Sequence, residues 1–297
     1  MARLTVRQAL LLFSIRPIHR GVSVNSKAQH QPRPFGTEEW PNPKRPAAAA
    51  LWRWHEHLAA VDGTKGSRSS HFFEEEEEKA KRAHPLRLLP DDVSSAAYET
   101  CRAFDLPLEK LAAQIRAAAR FTGPIRFRTR AEVDGFVEHW ACSHAQLLGG
   151  LVELTGSWQR PLVDEMARAF FLLGRLVYLP ADLAHDRLYI PLDEMEQAGV
   201  AVVQLQAGEV DETVRRLLWK QAVRTRDAFA HGQALAFELS GWQRRAFKKW
   251  WLAGLEGLNE IEKRDYDLWG KPFQLSALQR FRVRLQALVG RSTFRRR

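Results

Sequence analysis

Asp182 stands just past a strongly apolar helical stretch, and its neighbours limit the chemistry it could do. A magnesium cluster needs several carboxylates converging on a near-octahedral oxygen shell. On the helical face that Asp182 shares at the i, i+4, i+7, i+8 spacing, positions 174, 178 and 181 are Gly, Tyr and Ala. Other titratable groups are no better arranged. Asp91 and Asp92 stand at a helix start, where acidic side chains favour the positive end of the dipole, and they read as capping residues. His55 and His57 are two apart and point in different directions on a helix. Cys101 and Cys142 lack the C-x-x-C spacing of a zinc or redox site and read as small core residues in a reducing compartment. There is no Gly-rich phosphate loop and no Ser-His-Asp spacing. The expectation is no bound metal and no cofactor.

The elements that must position these residues are helical. Apolar residues recur at the helical period over 47–58, 131–155, 164–179, 210–240, 242–258 and 275–288, with no alternating β runs. They predict one all-α domain around a central cavity, spanning 47–290. Residues 1–46 form an N-terminal arm, 62–83 a low-complexity insert, and 291–297 a basic tail. Residues 1–35 carry Arg and Lys but no Asp or Glu, the composition of a mitochondrial transit peptide; a degraded first helix is the competing reading. Five prolines between 32 and 46 read as a linker, and Glu74 to Glu78 as a solvated loop or frayed helix. A hydrophobic content of 45% with ten Trp is that of a globular protein. No apolar run nears the ~18 residues that span a bilayer.

The net charge of +10 suits an RNA, an anionic membrane face or an acidic partner. Arg244, Arg245, Lys248 and Lys249 form i, i+4 pairs beside Phe247, Trp250 and Trp251, and Arg295, Arg296 and Arg297 end the chain. Two readings stand for this basic surface: a solvated helix face, or a contact for lipid or RNA phosphates.

From Gly174 to Val200 the sequence resembles a segment of the squalene/phytoene synthase family. There an aspartate-rich helix runs into a "G-R-x-Y-L-P" turn, matched here by Arg187, Tyr189 and Pro191. The family's metal positions fall on Gly174, Val177, Tyr178, Ala181 and Asp182, so the scaffold half of the motif is kept and the carboxylates are nearly gone. The resemblance implies an isoprenoid-synthase-like bundle with a degenerate site. Gly174 and Pro180 further resemble a non-catalytic branch of the family that serves assembly of mitochondrial respiratory complex I. That branch implies a chain that is not an enzyme, located in the mitochondrial matrix. Its partners would be proteins of a mitochondrial assembly, with peripheral contact to the inner membrane. Two alternatives stay open, a mitochondrial ribosome component or assembly factor and an active prenyl diphosphate transferase. The apolar cavity would be filled by side chains such as Tyr178, or would hold a lipid.

Overall fold

Helical periodicity carries through to the backbone. Among the described residues every regular element is helical, and extended pairing is confined to one parallel bridge between Ile125 and Arg187. The computed structural model describes residues 40–60, 73–78, 93–270, 273 and 275–289. Asp91, Asp92 and most of the N-terminal arm lie outside them. The described end of that arm is not a linker: Trp40 is buried, its ring 5.5 Å from that of Trp242, and α1 (Lys44–Ala59) already begins there. The glutamate run takes the helical one of its two readings but is partly buried. Residues 73–78 are helical, with Phe73 and Glu76 buried, and the Tyr98 hydroxyl donates to the Glu76 carbonyl at 3.2 Å.

Next come α2 (Val93–Ala103), α3 (Glu109–Ala118) and α4 (Arg130–Val137). The helix expected over 131–155 is broken by a π-turn at Glu138–Cys142 before α5 (Ser143–Leu151). It then stops early, because Glu153 takes φ 65° and the Leu154 N–H returns to the Gly149 carbonyl at 2.9 Å.

The centre of the fold is α6 (Arg160–Val177), which buries Met166, Phe170 and Leu173. After α7 (Leu179–Leu183), α8 (Leu192–Ala198) and α9 (Val202–Ala207), the long α10 (Glu212–Gly232) packs along α6. Asp211 caps α10 by accepting the Val214 N–H at 2.9 Å. Two glycines set the spacing of the central helices. A Cβ on Gly232 would meet the Met166 sulfur of α6 at 2.6 Å. A Cβ on Gly254, in α12 (Gly241–Lys263), would meet the Phe229 ring of α10 at 2.3 Å. The short α11 (Leu235–Glu238) links α10 to α12, and α13 (Ala277–Val289) lies against α12. No described helix is long and apolar enough to cross a membrane.

Candidate functional site

Pro180 sets the geometry of the degenerate motif. It has no N–H to donate and its ring crowds the carbonyl four residues back, so α6 stops at Val177 and α7 restarts at Leu179. The register survives the break. The Tyr178 N–H bonds the Gly174 carbonyl at 2.9 Å and the Asp182 N–H bonds the Tyr178 carbonyl at 2.8 Å. Gly174, Tyr178 and Asp182 therefore stay aligned and buried, with Val177 and Ala181 half-buried beside them.

The Asp182 carboxylate faces guanidiniums, not other carboxylates. Arg175 Nη1 donates to Oδ1 and lies 3.0 Å from each carboxylate oxygen. Burial pushes the Asp182 carboxyl up to about 6, against the pull of Arg175, Arg187 and His185. The two arginines rest on aromatic rings. Arg175 lies 4.8 Å above Tyr189 and 5.5 Å from Phe171, and Arg187 lies 5.1 Å above Phe121 while donating to its carbonyl at 3.1 Å. Burial raises the Tyr189 phenol to about 12 and lowers the Arg187 guanidinium. This donor set does not fit the magnesium ions that the family resemblance implies, since a cation here would face two guanidiniums for one carboxylate. Among the described residues no cluster of three or more metal-ligating side chains forms elsewhere.

The motif turn holds this group in place. Ile125 and Phe127 exchange backbone hydrogen bonds with residues 186–192, so Arg187 and Tyr189 are fixed while Pro191 leads into α8. Within α8, Glu194 receives hydrogen bonds from Arg130, Gln221 and Arg224. Burial alone would raise its carboxyl, but these donors outweigh burial and hold it below the usual range.

The basic surface lies elsewhere. Arg244 and Arg245 are exposed on the first turns of α12, and Arg244 Nε donates to the Leu239 carbonyl at 2.7 Å. Lys248 and Lys249 are half-buried, and Arg295, Arg296 and Arg297 lie outside the described residues. On the inward side, Phe247 and Trp250 close a cavity of about 80 Å³ against Leu148, Val163, Met166 and Phe170. An apolar cavity of ~150 Å³ takes one benzene, and this one is smaller. Phe170 is on its wall, and Tyr178, the side chain expected to fill the cavity, is not. Tyr178 is instead buried at the helix break.

A second polar group was hidden in the sequence. His55, whose neighbour His57 is exposed as expected, is fully buried against a partner 89 positions away. The rings of His55 and His144 stack at 4.1 Å, and Trp140 lies on the other face of His55 at 3.9 Å. Only His55 Nδ1 finds a partner, Gln114 Oε1 at 2.6 Å. Burial drives both imidazoles down, His144 to about 3 and His55 well below its usual range. The one local signal was the run of Trp around His55; nothing in the sequence links it to His144.

Comparison with known proteins gives the family and the fold. The family model of squalene/phytoene synthase matches residues 29–288. This chain belongs to the squalene/phytoene synthase family. A squalene synthase, HpnC, from Alicyclobacillus acidocaldarius shares its fold with a TM-score of 0.72 and 20% identity, over 78% of this chain and 88% of that one. A dehydrosqualene synthase solved with a ligand gives 0.72 and 15%, over 86% and 89%. YisP from Bacillus subtilis subsp. subtilis strain 168 gives 0.62 and 15%, over 84% and 87%. No curated protein matches the chain in sequence. The fold is the all-α, isoprenoid-synthase-like bundle of the squalene/phytoene synthase family.

These findings correct one expectation. The chain was read as not being an enzyme, but its family and two of its structural neighbours are synthases. That expectation rests on the apparent loss of two aspartate-rich metal motifs, one at 174–182 and the other in a segment with no acidic residue before Glu38. Nothing in the described residues shows that the site is lost, and Asp91 and Asp92 lie outside them.

Proposed function

We propose that this squalene/phytoene synthase family member serves the assembly of a mitochondrial complex, respiratory complex I first among them, in the manner of complex I assembly factor 6. The observation that supports this most is local. Where the family carries metal-binding aspartates, this chain has Gly174, Val177, Tyr178 and Ala181, with Asp182 held by Arg175. That pattern, with Pro180, resembles the assembly branch. The acid-free segment 1–35 agrees with a place in the mitochondrial matrix, and the net charge of +10 suits contact with the inner membrane or with acidic protein partners. Removing the chain from its own cells should lower complex I on native gels while mitochondrial ribosomes sediment normally. Unchanged complex I overturns the reading. A ribosomal defect that comes first moves the assignment to the mitochondrial ribosome.

A second reading, prenyl diphosphate transfer of the squalene/phytoene synthase type, is supported by the family itself. The two readings do not exclude each other. Metal-dependent release of pyrophosphate from farnesyl or geranylgeranyl diphosphate, lost in Asp182→Ala, would establish it. No release under any metal would remove it.

A further inference from the structure

The last helix shows water a face that would normally be buried. Its start is fixed locally by a capping box: Ser276 Oγ accepts the Gln279 N–H at 3.2 Å and Gln279 Oε1 accepts the Ser276 N–H at 2.7 Å. One side of α13 rests on the body through Val283 and Ala287, both buried, and Gln279 Nε2 donates to Glu260 of α12 at 3.2 Å. The opposite side carries Leu278, Phe281, Leu285 and Leu288, which are 75%, 62%, 48% and 65% exposed. Single exposed apolar residues need no explanation, but four in register on one short helix do.

Their spacing is three, four, three, which is the a/d pattern of a heptad. At 100° per residue the four fall within an arc of roughly 80°, the narrow stripe of a helix–helix seam and not the broad face of a helix lying in a bilayer. In the same heptad Arg282 takes position e and Arg284 position g, one on each flank, and both are exposed. Val283 takes position f, opposite the seam, and with Ala287 it meets the body. The helix has no acidic residue.

These charges choose among occupants. Two copies of α13 would bring arginine against arginine at e and g in either orientation, and like charges across a seam are destabilising. Residues 1–35, with no Asp or Glu, offer no complement. We propose that the outer face of α13 docks a helix of another protein that carries apolar residues at heptad spacing, flanked by Glu or Asp. Four anchors on one short helix make a small interface, of the size that holds transient partners.

The test uses the full chain and a three-heptad synthetic peptide with Leu at a and d and Glu at e and g, which its own charges keep from self-pairing. Fluorescence anisotropy should show it binding the wild type at least about tenfold more tightly than the same peptide with Lys at e and g. Arg282→Glu with Arg284→Glu should reverse that preference, and Phe281→Ser with Leu285→Ser should abolish binding of both peptides. All four substitutions are at exposed positions, so thermal melting should be unchanged and loss of fold is not the cause of lost binding. Absence of binding by the acidic peptide overturns the proposal, as does binding that ignores the charge swap. Flotation of the chain with vesicles containing phosphatidylserine, lost in the Phe281 and Leu285 variant while the peptide fails to bind, would assign the face to a membrane.

Discussion

Two groups of buried polar side chains stand in this fold, and they solve burial in opposite ways. Asp182 keeps company with Arg175 and Arg187, so its charge has partners inside the protein. His55 and His144 have only each other, two Trp rings and one Gln side chain, and they stay neutral. Desolvation acts on both. It raises the Asp182 carboxyl to about 6 and lowers His144 to about 3, because in each case it disfavours the charged form. The same physical term therefore gives the two groups opposite responses to pH, and the contrast can be tested by removing one side at a time.

The largest effect is expected from Arg175→Ala. It leaves Asp182 buried without its ion-pair partner, and breaking a buried pair in this way costs about 3–5 kcal/mol. Urea melts at pH 7.5 should show the loss. At pH 5 the loss should shrink, since Asp182 can then protonate. A loss that is equal at both pH values would mean that packing of the Arg175 stem over Tyr189, not its charge, holds the site.

Next is His144→Phe. The folded pKa of about 3 lies below the ordinary 6.5, so the native state binds fewer protons than the unfolded chain across that window. The contribution of His144 is complete above 6.5 and falls away as the pH drops toward 3. The gap corresponds to about 4–5 kcal/mol. Melts of the variant between pH 7 and 4 should be flatter than wild type by most of that amount. An unchanged slope would show that solvent reaches the ring.

Asp182→Asn should act the other way and more weakly. The folded pKa of about 6 lies above the ordinary 3.8, so the native state holds a proton that the unfolded chain releases. That contribution is complete below about 4 and is lost as pH rises through 6, worth about 3 kcal/mol. Without it, wild-type loss on acidification should steepen between pH 6 and 4. A variant that acidifies like wild type would remove Asp182 from the comparison.

The smallest effect belongs to the surface. Arg245→Gln touches neither group and should change stability by less than about 0.5 kcal/mol. A larger change in melting temperature would show that the first turn of α12 contributes to the core.

Much of this contrast was half-legible. The single carboxylate of the motif, the break at Pro180 and the divergence of His55 from His57 all follow from spacing along one helix, and the structure has them. The absence of enzyme function was inferred from the same spacing and did not stand against the family. The ion pair of Asp182 with Arg175, seven residues back across the helix break, went unnoticed, and the nearby charge of Arg187 depends on the bridge between Ile125 and Arg187. The π-turn at Glu138–Cys142 shifts the register just before His144; the apolar pattern gives no sign of that shift.

The sequence by itself determined the helical period, the end marked by Pro180 and the family, since each depends on residues a few positions apart. The tertiary structure alone decided which apolar stripes are core. Leu278, Phe281, Leu285 and Leu288 have the same pattern as a buried face, yet they meet water, while His55 is sealed inside. Burial is a property of what lies opposite, and the charge state of Asp182 and His144 follows from burial. Neither can be read from one segment, because desolvation depends on the segments that cover it.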